Sequence, residues 1–213
     1  MMRLLKLFAF IALSCVAAGG AALAQGTPAA GEAQGPSETA AYLFNTLLYL
    51  GAGGLILVMV AGFTLFQAGL AAQRHAGAIA LRSVAVLAVS MIVTWLVGYN
   101  LLYGVARGDL LGPIAWWTPV DSDPVAAGHS AGAPWFFRAG VSAIGALIIA
   151  GALGERVRLR TLLVFSAGFA GVFYPIEASW SWGGGIIDAA FSFRDFAGAS
   201  VIHVAGGWAA LAG

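Results

Sequence analysis

The sequence predicts an all-α, polytopic membrane protein with about five transmembrane helices. Three observations carry this. Of 213 residues, 61% are hydrophobic and only 9% are charged, and mean hydropathy is +0.91. That composition cannot cover a soluble domain with polar surface. The apolar residues fall into long segments, at roughly 40–70, 83–105, 135–154, 161–179 and 198–213. Basic residues concentrate in alternate connections. The formal net charge of +1 presents no basic face to nucleic acid. The single cysteine, Cys15, excludes a disulfide framework or a cysteine-based metal site within one chain.

Taken in order, residues 1–24 read as a signal peptide. Arg3 and Lys6 form its positive region, "LFAFIALSCVAA" its apolar region, and Ala22, Leu23, Ala24 and Gln25 the small-residue cleavage site. An uncleaved first helix is the other reading. Residues 25–39, rich in Gly, Pro, Ala and Glu, form an exported linker. The membrane domain then runs over 40–213. About 20 apolar residues cross a hydrocarbon core of about 30 Å, and the first four segments meet that length or approach it. The 71–82 connection carries Arg74 and Arg82, and the 155–160 connection carries Arg156, Arg158 and Arg160. Both are therefore expected in the cytoplasm, with the N-terminus outside. The fifth segment, Gly198 to Gly213, has 16 residues and would reach about 24 Å as a helix. Either it ends inside the membrane or the sequence is a piece of a longer protein. The second is expected.

Chemistry concentrates near the end of the sequence. In "DFAGASVIHVAGG", Asp195 suits an N-cap, where its carboxylate meets free N–H groups and the positive end of the helix dipole. His203, read on an α-helix, has Ala199, Ser200, Gly206 and Gly207 three and four positions away. A small-residue face permits close helix packing or borders a narrow passage. An ionisable group at membrane depth marks a substrate or proton path, whereas the bland role is an interhelical hydrogen bond. Upstream, Pro175 and Gly183–Gly185 are expected to break the helix near the outer surface. Trp180 and Trp182 suit an interface belt, or a ring face offered to a cation. His75 and His129 read as solvated loop residues. The sequence has no H-E-x-x-H and no G-x-S-x-G, so an enzyme is not expected, nor a cofactor.

These motifs carry a family resemblance. "DFAGASVIHVAGGWAALAG" resembles the signature of the ammonium transporter family. "GFTLFQAGL", "WLVGYNLLYG", "GALGERVR" and "YPIEASWSWGGG" match other family pieces in order, so the resemblance runs from about residue 40 to the end. It implies a fold of eleven helices, built as two five-helix inverted repeats plus a final helix and assembled as a homotrimer, with this chain resembling the first repeat. It also implies a substrate, ammonium or methylammonium, and a setting in the bacterial cytoplasmic (inner) membrane, with a cytoplasmic regulatory protein as a further partner. By the same resemblance His203 matches the first of twin pore histidines. Asp195 matches the carboxylate that shapes the external binding region, Trp182 the tryptophan of the external site, and Phe137 an aromatic of the same vestibule. Val141 falls where the family places a gating phenylalanine. That departure removes a ring and is expected to widen the throat. Arg138 is a second departure, because a fixed positive charge near the vestibule repels a cation. The implied function is ammonium transport through a hydrophobic, histidine-containing pore. A non-transporting, ammonium-sensing subunit is the alternative.

Overall fold

The structure, a computed structural model, describes residues 37–213. The predicted signal peptide and all but the last three residues of the predicted linker lie outside the described residues. Every regular element among the described residues is helical.

Helix α1, Glu38–Leu70, has 33 residues and is about 50 Å long, well beyond the thickness of a hydrocarbon core. A 3₁₀ turn, Gln73–His75, reverses the chain, and the His75 N–H donates to Ala72 O at 2.7 Å. Helix α2, Ala76–Val93, passes through a π-turn, Thr94–Gly98, into α3, Tyr99–Tyr103. The connection from α3 to the next span holds one short helix, α4, Pro124–Ala127. Asp123 Oδ1 accepts from the Ala126 N–H, and Gly128 closes the helix at φ 75°. Helix α5, Gly132–Leu153, follows. Beyond a tight turn, α6, Leu159–Gly168, runs through a second π-turn, Phe169–Phe173, into α7, Tyr174–Trp182. A short α8, Ile186–Phe191, precedes a third π-turn, Ala199–Val204, and α9, Ala205–Ala212.

Among the described residues, four stretches are long and apolar enough to cross a membrane: Glu38–Leu70, Gln73–Tyr103, Gly132–Leu153 and Leu159–Phe191. The fifth predicted segment forms a shorter apolar helix, Ala199–Ala212.

Two boundaries differ from the sequence reading. Pro175 does not break the fourth segment, which stays helical to Trp182. A proline in a helix clashes with the carbonyl four residues back. For Pro175 that residue is Gly171, inside the π-turn, whose wider winding accommodates the ring. Between the fourth and fifth predicted segments the chain forms a further short helix, α8, that the sequence reading did not place.

Helix α5 is the hub, packed against α1, α2 and α9. Its Ala139, Ala143, Ala146, Leu147 and Ile149 are fully buried. Polar groups join the spans where lipid gives no hydrophobic drive to do so. Thr94 Oγ1 and Ser142 Oγ lie 2.8 Å apart. Gln67 Nε2 donates to Leu147 O at 2.8 Å, and Ser83 Oγ donates to Gln67 Oε1 at 3.3 Å. At the arginine-rich end, Glu155 Oε1 accepts the Ala72 N–H and ties the two turns together. Helices α5 and α9 touch at the backbone: a Cβ placed on Gly206 would sit 3.0 Å from Gly145 O.

Candidate functional site

Asp195 builds the site. Its Oδ1 accepts the N–H groups of Gly198 and Ala199, each at 3.1 Å, and its Oδ2 those of Ser200 and Val201 at 2.7 and 2.9 Å. One carboxylate thus satisfies four N–H groups at the start of the last helical segment, which have no partner within the helix itself. The expected capping role is present in a different form. The residue at the N-cap place is Gly198, at φ 78°, and Asp195 reaches over it from three residues earlier. Burial pushes the Asp195 carboxyl up, but the bonds from Val201, Ser200, Ala199 and Gly198 outweigh burial and hold it below the usual carboxylate range.

The same residue fixes its neighbours. Its N–H donates to Ser181 Oγ at 2.9 Å. Its carbonyl accepts the Trp182 indole N–H at 2.5 Å, so the Trp182 ring is oriented by Asp195 backbone and not by its carboxylate. Nearby, Arg194 Nε pairs with Asp188 Oδ1 at 2.9 Å, with 77% of the Arg194 side chain exposed. That partner raises the guanidinium further above its ordinary value. Trp180 turns elsewhere, its indole N–H donating to Leu110 O at 3.0 Å and pinning the loop that follows α3.

Four of the five residues singled out in the sequence, Phe137, Val141, Trp182 and Asp195, line one cleft of about 740 Å³. Val141 is 7% exposed and shares the lining with Ile56 and Ile202. His203 does not line this cleft. It follows Ile202, which does, and its side chain is exposed. The α-helical spacing assumed around it needs correction. Residues Ala199–Val204 form a π-turn, and the His203 N–H donates to Gly198 O, five residues back, at 3.2 Å. The neighbours of His203 are therefore shifted from those that 3.6-residue winding gives.

The sequence reading missed the tyrosines. Tyr49, Tyr103 and Tyr174 all line the cleft. Tyr99 and Tyr103 stand one turn apart with ring centroids 5.1 Å from each other, an i, i+4 pair that was the available signal. Arg138 lies against them. Its Cζ is 3.7 Å from the Tyr103 ring centroid and 6.0 Å from that of Tyr99, and its Nη1 donates to Tyr99 Oη at 3.3 Å. His129 is also not a plainly solvated residue. It is half-buried and meets the Tyr49 ring edge-on at 5.5 Å. His75 is exposed, as expected, and its Nε2 accepts from Arg74 Nε at 3.0 Å. Among the described residues no three His, Cys, Asp or Glu side chains come together as a metal site.

A bundle of apolar spans, long enough to cross a bilayer, with aromatic and ionisable groups in one cleft defines a multi-pass membrane protein. The family follows from comparison. A family model described as the Ammonium Transporter Family matches residues 47–213, and the chain belongs to that family, whose members are transporters and not enzymes. The Synechocystis protein sll1017 is 35% identical over 191 residues, covering 85% of this chain and 42% of its own length. Ammonium transporter Amt2 of Archaeoglobus fulgidus is 31% identical over 75% of this chain and 35% of its own. The chain thus spans less than half the length of these relatives. Among solved structures, a protein titled Sensor Amt Protein superposes with TM-score 0.65 at 26% identity, over 79% of this chain and 42% of that one. Candida albicans Mep2 superposes with TM-score 0.67 at 25% identity, over 78% and 38%.

Proposed function

We propose that this chain supplies one wall of an ammonium-conducting pore. Ammonium is recruited at the outer aromatic cleft, loses its proton, and crosses as the neutral species past His203. The observation that carries this reading is the Trp182 ring, fixed through its N–H to Asp195 O, in one cleft with Phe137, Val141 and Asp195. Ammonium matches potassium in charge and size, so discrimination rests on hydrogen-bond partners and a dehydrating passage. A neutral imidazole both accepts and donates. The exposed side chain of His203 leaves it free to meet an opposite wall, which a second repeat beyond these residues would provide. In this reading the chain is the first inverted repeat of an eleven-helix fold, 1–24 is a signal peptide and 25–39 an exported linker. The complete protein is a homotrimer of the bacterial cytoplasmic membrane with its N-terminus outside, and a cytoplasmic regulatory protein acts on it.

The test is methylammonium uptake in proteoliposomes of the full-length gene product. Saturable uptake is expected, and His203→Asn is expected to lose it or change its ion selectivity at an unchanged melting temperature. Unchanged uptake with a clear fall in stability would remove His203 from the pathway. A sensing role is the second reading, favoured by the likeness to the Sensor Amt Protein and by the missing ring at Val141. Saturable ammonium binding without flux in the same preparation would select it.

A further inference from the structure

Among the described residues, four charged side chains line the cleft that contains Trp182 and Phe137: Arg138, Asp188, Arg194 and Asp195. Their formal charges cancel, but they differ in what holds them. Arg138 lies on an aromatic face, its Cζ 3.7 Å from the Tyr103 ring centroid and its Nη1 on Tyr99 Oη. Asp195 commits both carboxylate oxygens to four backbone N–H groups. Asp188 is balanced by a side chain instead: Arg194 Nε lies 2.9 Å from its Oδ1 and Nη2 3.4 Å from its Oδ2. Arg107 adds a further positive charge to the field at Asp188. The ion pair is lopsided, with the Asp188 side chain 9% exposed and that of Arg194 77% exposed. A pair whose cation stands in water is held weakly, so Arg194 is the charge in this lining that leaves at the lowest cost.

We propose that Asp188 is the carboxylate that recruits ammonium to the cleft, and that Arg194 is its displaceable counter-ion. The incoming cation takes the place of the guanidinium at Oδ1 and Oδ2 while Arg194 turns into solvent, so the lining stays neutral through the exchange. The repulsion that Arg138 exerts on an entering cation is thereby offset at Asp188. Asp195 cannot serve in this way, because its oxygens already hold the start of the last helical segment. Ammonium donates charge-assisted N–H bonds to a carboxylate, which potassium of the same charge cannot do, so the exchange favours the ion that carries hydrogen. The backbone keeps its shape without the ion pair. Ser192, at φ 51°, closes α8 and its N–H donates to Asp188 O at 2.9 Å. The inference rests on the transport reading above for its substrate.

The experiment uses the full-length product in proteoliposomes at about 0.15 M salt, where exposed charges more than about 8 Å apart are largely screened. Methylammonium uptake is measured for wild type, Asp188→Asn, Arg194→Gln and the double variant, each checked by thermal melting. Asp188→Asn is expected to raise KM at least about tenfold, because the negative charge that meets the cation is gone. Arg194→Gln is expected to lower KM about threefold or more, because the competing cation is gone. The double variant is expected within about twofold of Asp188→Asn, since a counter-ion has nothing to vacate once its carboxylate is lost. An unchanged or raised KM in Arg194→Gln overturns the proposal, and so does a double variant in which the two single effects simply add. If the Asp188 variants do not fold, the KM of Arg194→Gln against wild type decides alone. Absence of saturable uptake in wild type sinks the transport reading instead. The same comparison is then read as methylammonium Kd by calorimetry in detergent, where the same order of variants upholds Asp188 and equal values overturn it.

Discussion

Glu38–Leu70 and Gly132–Leu153 have nearly equal mean hydropathy, 2.0 and 1.9, yet 17% of the first apolar window is buried against 67% of the second. In water such a pair would compete for the same core. In a bilayer the surroundings are as apolar as leucine, so hydrophobicity does not sort the two. Side-chain size does. The buried positions of α5 include Ala139, Gly140, Ala143, Gly145 and Ala146, which let neighbouring backbones approach. The exposed face of α1 carries Leu47, Leu55, Leu65 and Phe66, which offer area to lipid tails. Hydropathy therefore finds a span, and the distribution of small residues tells which span is central.

The comparison breaks most visibly at Gly145. A Cβ there would lie 2.8 Å from Phe169 Cε1, so Gly145→Leu is expected to cost about 3 kcal/mol through overpacking. Fluorescence-detected melting of the purified protein should show the loss. A variant as stable as wild type would mean that α5 is not the rigid hub. Asp195→Ala comes next, at about 2 kcal/mol, because it strips the cap from four N–H groups. Its pH signature has a definite sign. The folded carboxyl titrates below the ordinary value, so its stabilisation is complete above the unfolded pKa of about 3.9 and is lost as pH falls through the lower folded value. Melting curves below about pH 4 should fall more steeply for wild type than for Asp195→Ala, and parallel curves would remove the carboxylate from the account.

Smaller effects sharpen the contrast. Gly206→Ala sets a methyl 3.0 Å from Gly145 O and should lower stability by about 1 kcal/mol, the low end of overpacking costs. Leu55→Ala removes a larger side chain, but Leu55 is 71% exposed. Its effect should stay within about 0.5 kcal/mol, where a buried leucine would cost about 2–5 kcal/mol. A loss in that upper range would show that α1 is covered in the assembled protein, and melting in detergent against cross-linked oligomer would read it.

The apolar segments were legible because length and hydropathy need no tertiary context, and Asp195 was legible because a carboxylate ahead of a small-residue helix has few uses. Its reach was not. The sequence places a cap, but the left-handed Gly198 lets one side chain span four N–H groups instead of one or two. Pro175 misled for a related reason: a proline signals a break only if the helix around it keeps 3.6-residue winding. The Tyr99–Tyr103 pair and its guanidinium were missed because Arg138 was read for its charge alone. A contact between α3 and α5, separated by the whole connection that holds α4, leaves no local pattern in the sequence.

The three π-turns have a geometric consequence for the cleft. Each holds one residue more than an α-helical turn of the same rise, so everything downstream is rotated about the helix axis by about 100° relative to an unbroken helix. Tyr99 and Tyr103 follow the first of them, Trp182 the second, and His203 lies within the third. The aromatic lining is thus a matter of phase as much as of composition. A single-residue deletion in Thr94–Gly98 would leave every tyrosine in the chain and carry Tyr99 and Tyr103 around the cylinder, away from Arg138.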